Sequence, residues 1–285
     1  MRPLRAWRCS VSTLDGSDGR KKPGPDALDL KVLLRGVNEA GLSPATRDVL
    51  LAALHRGAAS VQNRPKGALR VYPPTASGDQ LSGGISLRSA GSERPQLLVI
   101  GASTGGPHAI ASLLRGFERA PPVPIVVVQH MAENFVPILA VQLDGLAGLR
   151  CHMAVHGERP TVGHVYLAPG DQHLLVASTP AGLELHLSDA PAENFCRPSI
   201  DPLLRSAVAA LGGAVVAVIL TGMGRDGLEG ARLVTASGGT VLAQDESSSA
   251  IWGMPGTVAV AGLCHAVLSP KHLAAKLGCL LEGVS

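Results

Sequence analysis

The segment Gln96–Pro107, QLLVIGASTGGP, decides the fold. Leu97–Ile100 is a continuous apolar run with no polar alternation, which is what a strand covered on both faces requires, as in a parallel sheet. Gly101, Gly105 and Gly106 permit a sharp turn, and Pro107 suits the first turn of a helix expected over His108–Phe117. The same strand-then-helix alternation recurs outward from this point. Val123–Val128 precedes a helical pattern over Ala132–Leu146, Ala214–Leu220 precedes Leu228–Ser237, and Thr240–Ala243 follows. The pattern predicts an α/β fold, a doubly wound and mostly parallel sheet with helices on both faces. Between residues 148 and 187 the runs are shorter: Met153–Val155, His164–Leu167, His173–Val176 and Leu183–Leu187, with a turn at Pro169-Gly170-Asp171. These predict a small antiparallel element at the sheet edge.

Ahead of this domain the composition changes. Residues 1–26 contain DGSDGRKKPGPD, which buries little, and are expected to be disordered. Over 27–94 two short helices are expected, the second opening at Ser43-Pro44, followed by a Pro/Gly/Ser-rich connection, so the main domain is set at 95–285. Residues 1–95 hold 15 Lys+Arg against 8 Asp+Glu, and residues 96–285 hold 10 against 14, so a net charge of +3 hides a basic part and an acidic one. The basic residues are scattered, and aromatics are 2% of the chain, which argues against a nucleic-acid surface or a base-stacking platform. Five cysteines at 9, 151, 196, 264 and 279 form no CxxC pair and complete no disulfide framework, as expected for reduced thiols in the cytoplasm. No apolar run is long enough for a signal peptide or a membrane span, so neither export nor membrane insertion is expected.

In open parallel sheets ligands sit at the carboxyl ends of the strands. After LLVI comes GASTGGP with Ser103, after PIVVV comes QHM with His130, and after VVAVIL comes TGMGRDG with Asp226. The first loop fits G-x-S-x-G; it lacks the Gly-Lys-Ser/Thr of a P-loop, and Ser103 stands where the dinucleotide fingerprint needs its second glycine. Taken singly, Ser103 reads equally as a helix cap, His130 as structural, and Asp226 as the N-cap of the helix that follows. Together they supply a hydroxyl, an imidazole to take its proton and a carboxylate to orient the imidazole, one from each of three strand ends. Their order along the chain, Ser-His-Asp, differs from that of α/β-hydrolases, chymotrypsin-like and subtilisin-like enzymes.

The runs IGASTGGP, VVVQHMAENF, GHVYLAPGDQHLLV, RPSIDPLLRS, VILTGMGRDGLEGARLV and AQDESSSAIWGMPG resemble, in order and spacing, the catalytic domain of the CheB-type protein-glutamate methylesterases over about 95–283. The resemblance implies Ser103 as nucleophile, His130 as base and Asp226 as orienting carboxylate. It also points to Thr104 and to Met223, whose backbone N–H is a candidate oxyanion donor; its side chain alone would read as core. It implies hydrolysis of γ-glutamyl methyl esters on the cytoplasmic helices of chemoreceptors, and deamidation of receptor glutamines, with no metal or organic cofactor. The phosphoacceptor receiver usual in the family is not recognisable in residues 1–95, which leaves its phosphorylation switch open.

Other signals carry less. Cys151, His152 and His156 lack the further ligand an obvious metal site needs. His173 suits a structural turn, Arg197, Ser199 and Asp201 suit a helix start before LLRSAVAAL, with a place near the substrate cleft as the alternative, and Gln244, Asp245 and Glu246 are expected to line the site without chemistry of their own. Three further functions compete: an esterase or amidase outside chemotaxis, a silent module docking on receptor or kinase helices, and nucleotide binding through the GASTGG loop.

Overall fold

A computed structural model describes residues 85–282. The readings made over 1–84 lie outside the described residues. Seven parallel strands form one sheet in the order β3-β4-β2-β1-β7-β8-β9, and β5 and β6 form a separate antiparallel pair. The strands are β1 (Leu97–Ala102), β2 (Ile125–Gln129), β3 (Arg150–Met153), β4 (His164–Leu167), β5 (His173–Thr179), β6 (Gly182–Ser188), β7 (Val215–Ile219), β8 (Thr240–Gln244) and β9 (Ala266–Leu268). The helices are α1 (Gly106–Arg115), α2 (Val136–Leu143), α3 (Ile200–Leu211), α4 (Leu228–Ala236), α5 (Met254–Val260) and α6 (Pro270–Glu282).

Every residue of β1, β2, β7 and β8 is buried, which explains their unbroken apolar runs. Successive side chains go to opposite faces. Leu98, Ile100, Val127 and Val218 meet α1, α2 and α6 in one layer, while Leu97, Val99, Val126 and Ala217 meet α3, α4 and α5 in the other. The doubly wound, helix-covered sheet expected from the sequence is therefore present.

Two details differ from the pattern. The helix expected over Ala132–Leu146 divides into a 3₁₀ turn at Glu133–Phe135 and α2, because Pro137 sits in the first turn of α2 and cannot donate to a preceding carbonyl. Of the short strands, β3 and β4 extend the parallel sheet at its edge. Only β5 and β6 are antiparallel, and they send Leu174, Val176 and Leu185 into the same layer as Leu203, Leu204 and Ala207 of α3. Ahead of β1, Arg88 N–H donates to Cys264 O at 2.9 Å and Gly91 N–H to Thr240 Oγ1 at 2.9 Å.

β1 has β2 on one side and β7 on the other, so the direction of winding reverses at β1. In open α/β sheets, the carboxyl end at such a reversal is where ligands bind. Ser103, His130 and Asp226 all lie beyond the ends of these three adjacent strands.

Candidate active site

Ser103 is the first residue after β1. Its N–H donates to Thr221 O at 3.0 Å, and its carbonyl accepts from Gly106 N–H and from Gln129 Nε2, each at 2.8 Å. The turn into α1 is sharp, as the glycines require, and Gly105 carries it with φ 80°. A Cβ at Gly106 would overlap Gln129 Oε1 and lie 2.8 Å from Ala102 Cβ. Gln129 Nε2 also donates to His130 O at 3.0 Å, so one buried amide ties the serine and histidine loops together. Gly106→Ala is accordingly expected to destabilise the fold by about 1–3 kcal/mol through overpacking. A lowered urea midpoint, with changed chemical shifts at Ser103 and His130, would show it; an unshifted midpoint would mean that the amide gives way freely.

His130 Nε2 lies 2.8 Å from Asp226 Oδ2, with both side chains almost wholly buried. Asp226 does not cap α4, which opens on Gly227 at φ 91°. Its carboxylate instead crowns α3 from outside. Oδ2 accepts from Ile200 N–H at 2.7 Å; Oδ1 accepts from Ser199 Oγ at 2.7 Å, Asn194 Nδ2 at 2.9 Å, Gly227 N–H at 3.0 Å and Asp201 N–H at 3.2 Å. Orphan N–H groups at a helix start and a buried carboxylate thus satisfy one another. Burial alone would raise the Asp226 pKa, but the hydrogen bonds from His130, Ile200 N–H and Ser199 hold it below the usual carboxylate range. Neighbouring Asp201 is pushed up to about 6, by burial first and by the Asp226 charge, against the hydrogen bonds from Gly230 N–H and Asn194.

The other ring nitrogen of His130, Nδ1, faces Cys196 Sγ at 3.5 Å. Burial pulls the imidazole's pKa down, yet the bonds to Asp226 and Cys196 outweigh it and bring it to about 9. Ser103 Oγ, half-buried, makes no hydrogen bond to a described residue, and none joins it to His130. The structure therefore brings His130 and Asp226 into contact, while the Ser103 hydroxyl, on the adjacent loop, is hydrogen-bonded to no described residue.

Thr104 is exposed, and its carbonyl accepts from Thr221 Oγ1 at 2.9 Å. Met223, which its side chain alone would place in the core, is 71% exposed. Neither the Thr104 nor the Met223 N–H has an acceptor among the described residues. Adjacent Gly222 packs on the serine: a Cβ there would stand 2.7 Å from Ser103 Cβ.

Several residues acquire roles that spacing did not reveal. Asn194 bridges Asp226 and Asp201, Ser199 spends its hydroxyl on Asp226 rather than on its own helix, and Cys196 faces the histidine. Gln244 Oε1 accepts from Thr221 N–H at 2.9 Å, holding the third loop. Arg197 pairs with Asp171 at 2.8 Å and makes no hydrogen bond to His130 or Asp226 among the described residues. His173 accepts from Ser199 N–H through Nδ1 and so donates from Nε2 to Pro191 O, a structural post beneath the helix start. His152 pairs with Glu158 at 2.8 Å, and His156 accepts from Leu187 N–H at 3.2 Å.

The fold and this rim define a doubly wound α/β protein with a buried histidine–carboxylate pair beside a serine-bearing turn. The CheB methylesterase family model matches residues 98–277, and the chain belongs to that family. It is 45% identical over 222 residues to a Rhodospirillum rubrum protein named protein-glutamate methylesterase/protein-glutamine glutaminase 1, covering 77% of this chain and 56% of that one. It is 52% identical over 175 residues to a Nocardioides protein named protein-glutamate methylesterase/protein-glutamine glutaminase, covering 61% and 47%. The chain thus spans about half the length of the curated relatives it matches. The crystal structure of the Thermotoga maritima CheB methylesterase catalytic domain superposes with a TM-score of 0.62 at 38% identity, covering 64% of this chain and 97% of that one. No helix among the described residues is long and apolar enough to cross a membrane.

Proposed function

We propose that residues 95–285 form a serine hydrolase that removes methyl esters from glutamate side chains on the cytoplasmic helices of chemoreceptors, and that it works in the cytoplasm. The observation that carries the reading is the 2.8 Å contact between His130 and a deeply buried, ionised Asp226, formed from the loops on either side of the one that presents Ser103. Membership of the CheB methylesterase family and the names of the relatives supply the substrate class.

In this mechanism Ser103 Oγ attacks the ester carbonyl while its proton passes to His130. Nε2 is held by Asp226, so Nδ1 receives the proton and Cys196 yields its place. The imidazolium is stabilised by the adjacent carboxylate and then protonates the departing methoxide, which leaves as methanol. Water, activated by the same nitrogen, releases the glutamate and restores the hydroxyl. The N–H groups of Thr104 and Met223 are the donors for the oxyanion, each worth roughly 3 kcal/mol in the transition state. With a glutamine side chain the leaving group is ammonia and the steps are otherwise the same, which suits the double name of the relatives. The test is methanol release from membranes bearing methylated receptors; a full-length protein that releases none would end the reading.

The protonation state of His130 gives a second expectation. A base must be neutral to act, so kcat/KM on a small activated ester should rise with pH through about 9, and Cys196→Ala should move the rise to lower pH by removing one bond that favours the imidazolium. Stability runs the opposite way. The folded pKa lies above the ordinary 6.5, so the His130–Asp226 ion pair contributes fully below that pH and is lost as pH climbs through about 9. A flat pH–rate profile across that range, or one that Cys196→Ala leaves in place, would contradict this account of the base.

A further inference from the structure

Among the described residues the two most exposed large apolar side chains are Phe195, at 104%, and Met223, at 71%. Both belong to segments that hold the active site. Met223 follows Gly222, which packs on Ser103, and Phe195 lies between Asn194, bonded to Asp226, and Cys196, which faces His130. The chain has three phenylalanines in all. Phe117 is buried at 7%, whereas Phe135, on the His130 loop, is 43% exposed and Phe195 wholly so.

The backbone at Phe195 makes its exposure harder to ascribe to the fold. Glu193 and Cys196 exchange backbone hydrogen bonds of 3.1 and 2.9 Å, closing a two-residue turn with Asn194 at φ 53° and Phe195 at φ 62°. Such turns favour Asn-Gly, and a bulky side chain in the left-handed region is an outlier. Glycine would suit the turn better, and the ring buries nothing in return. The turn is nonetheless held firmly, by Arg205 on Glu193 at 2.7 Å and by Asn194 on Asp201 at 2.8 Å. Strain that the surroundings hold in place next to reacting groups points to use.

Resting on the substrate reading above, we infer that Phe195 and Met223 are specificity residues. They grip apolar side chains of the substrate helix, spaced three or four residues from the glutamyl ester, and so present that ester to Ser103. A helix fits because residues at such spacings share its face with the glutamate, and anchors of this kind are how helices dock on apolar surfaces. Arg225, exposed beside Met223 and without an ion pair among the described residues, adds a positive charge suited to a helix carrying further glutamates.

Phe195→Gly tests the inference without straining the turn. In the full-length protein, the ratio of kcat/KM on methylated receptor to kcat/KM on p-nitrophenyl acetate should fall about tenfold or more, as expected for losing an aromatic anchor. The unfolding temperature should hold or rise, since glycine accepts the left-handed φ. An unchanged ratio overturns the inference, even if both rates fall, because the ring would then act on the shared chemistry alone. A raised receptor rate, or a lowered oligomeric mass with the ratio unchanged, would assign the ring to this chain or to a second copy and also overturn it. A wild-type protein that cleaves the small ester but not the receptor sinks the substrate reading, and this inference with it; methanol release by wild type with an unchanged ratio in the variant sinks the inference alone.

Discussion

Ser103→Ala should lower methanol release from methylated receptor by about 10⁴-fold or more, the scale on which triad nucleophiles are lost. The expectation is cleaner than usual because the hydroxyl does no structural work: Ser103 Oγ bonds to no described residue, and the backbone contacts to Thr221, Gly106 and Gln129 survive truncation. Unfolding temperature should therefore stay within a degree or so of wild type, a change well under 0.5 kcal/mol. A fluorophosphonate should label the wild type at Ser103 and leave the variant unlabelled. Turnover within tenfold of wild type would mean that another group attacks the ester. Labelling without turnover would keep the nucleophile and reject the substrate.

What the sequence made legible, and what it did not, follows from the range of the forces involved. β1, β2, β7 and β8 could be read because a strand covered on both faces must be apolar at every position, and Val126, Val128, Val216 and Val218 state that locally. The three strand ends could be inspected for chemistry because the end of an apolar run is visible in the chain. β9 escaped notice because three residues give no pattern, and the partition of the short strands between two sheets depends on what each packs against. The supports of the site were invisible for the same reason. Asp226 takes bonds from residues 194 to 201, some 25 to 32 positions away, and no spacing rule connects a loop after β7 to the start of a helix before it. RPSID was legible as a helix start, but not as a helix start whose N–H groups hold the Asp226 carboxylate. Cys196 and Gln129 likewise gain meaning only once their loops are brought together.

Asp226→Asn carries the second large effect, and it separates positioning from mere charge. The carboxylate accepts six hydrogen bonds, from His130, Asn194, Ser199, Gly227 and the first two N–H groups of α3. An asparagine offers one oxygen and an NH₂ that must confront donors, so at least two buried donors go unmet at about 1–3 kcal/mol each. A marked fall in the urea midpoint at neutral pH is expected. The wild type should lose this stabilisation on acidification, because a carboxyl held below its ordinary range stabilises the fold above the unfolded pKa and ceases to as pH falls through the folded one; the variant should lack that acid limb. The imidazole, no longer facing an anion, should titrate well below about 9, since burial then dominates. Its Nε2 would face an NH₂ group, which favours the tautomer with the proton on Nδ1, the nitrogen assigned to receive the serine proton. Turnover under conditions where the variant remains folded should fall about 10⁴-fold, as it does when a triad carboxylate becomes an amide. A folded Asp226→Asn protein with a shifted His130 titration and near-normal turnover would show that the carboxylate builds the loop cluster without serving the base.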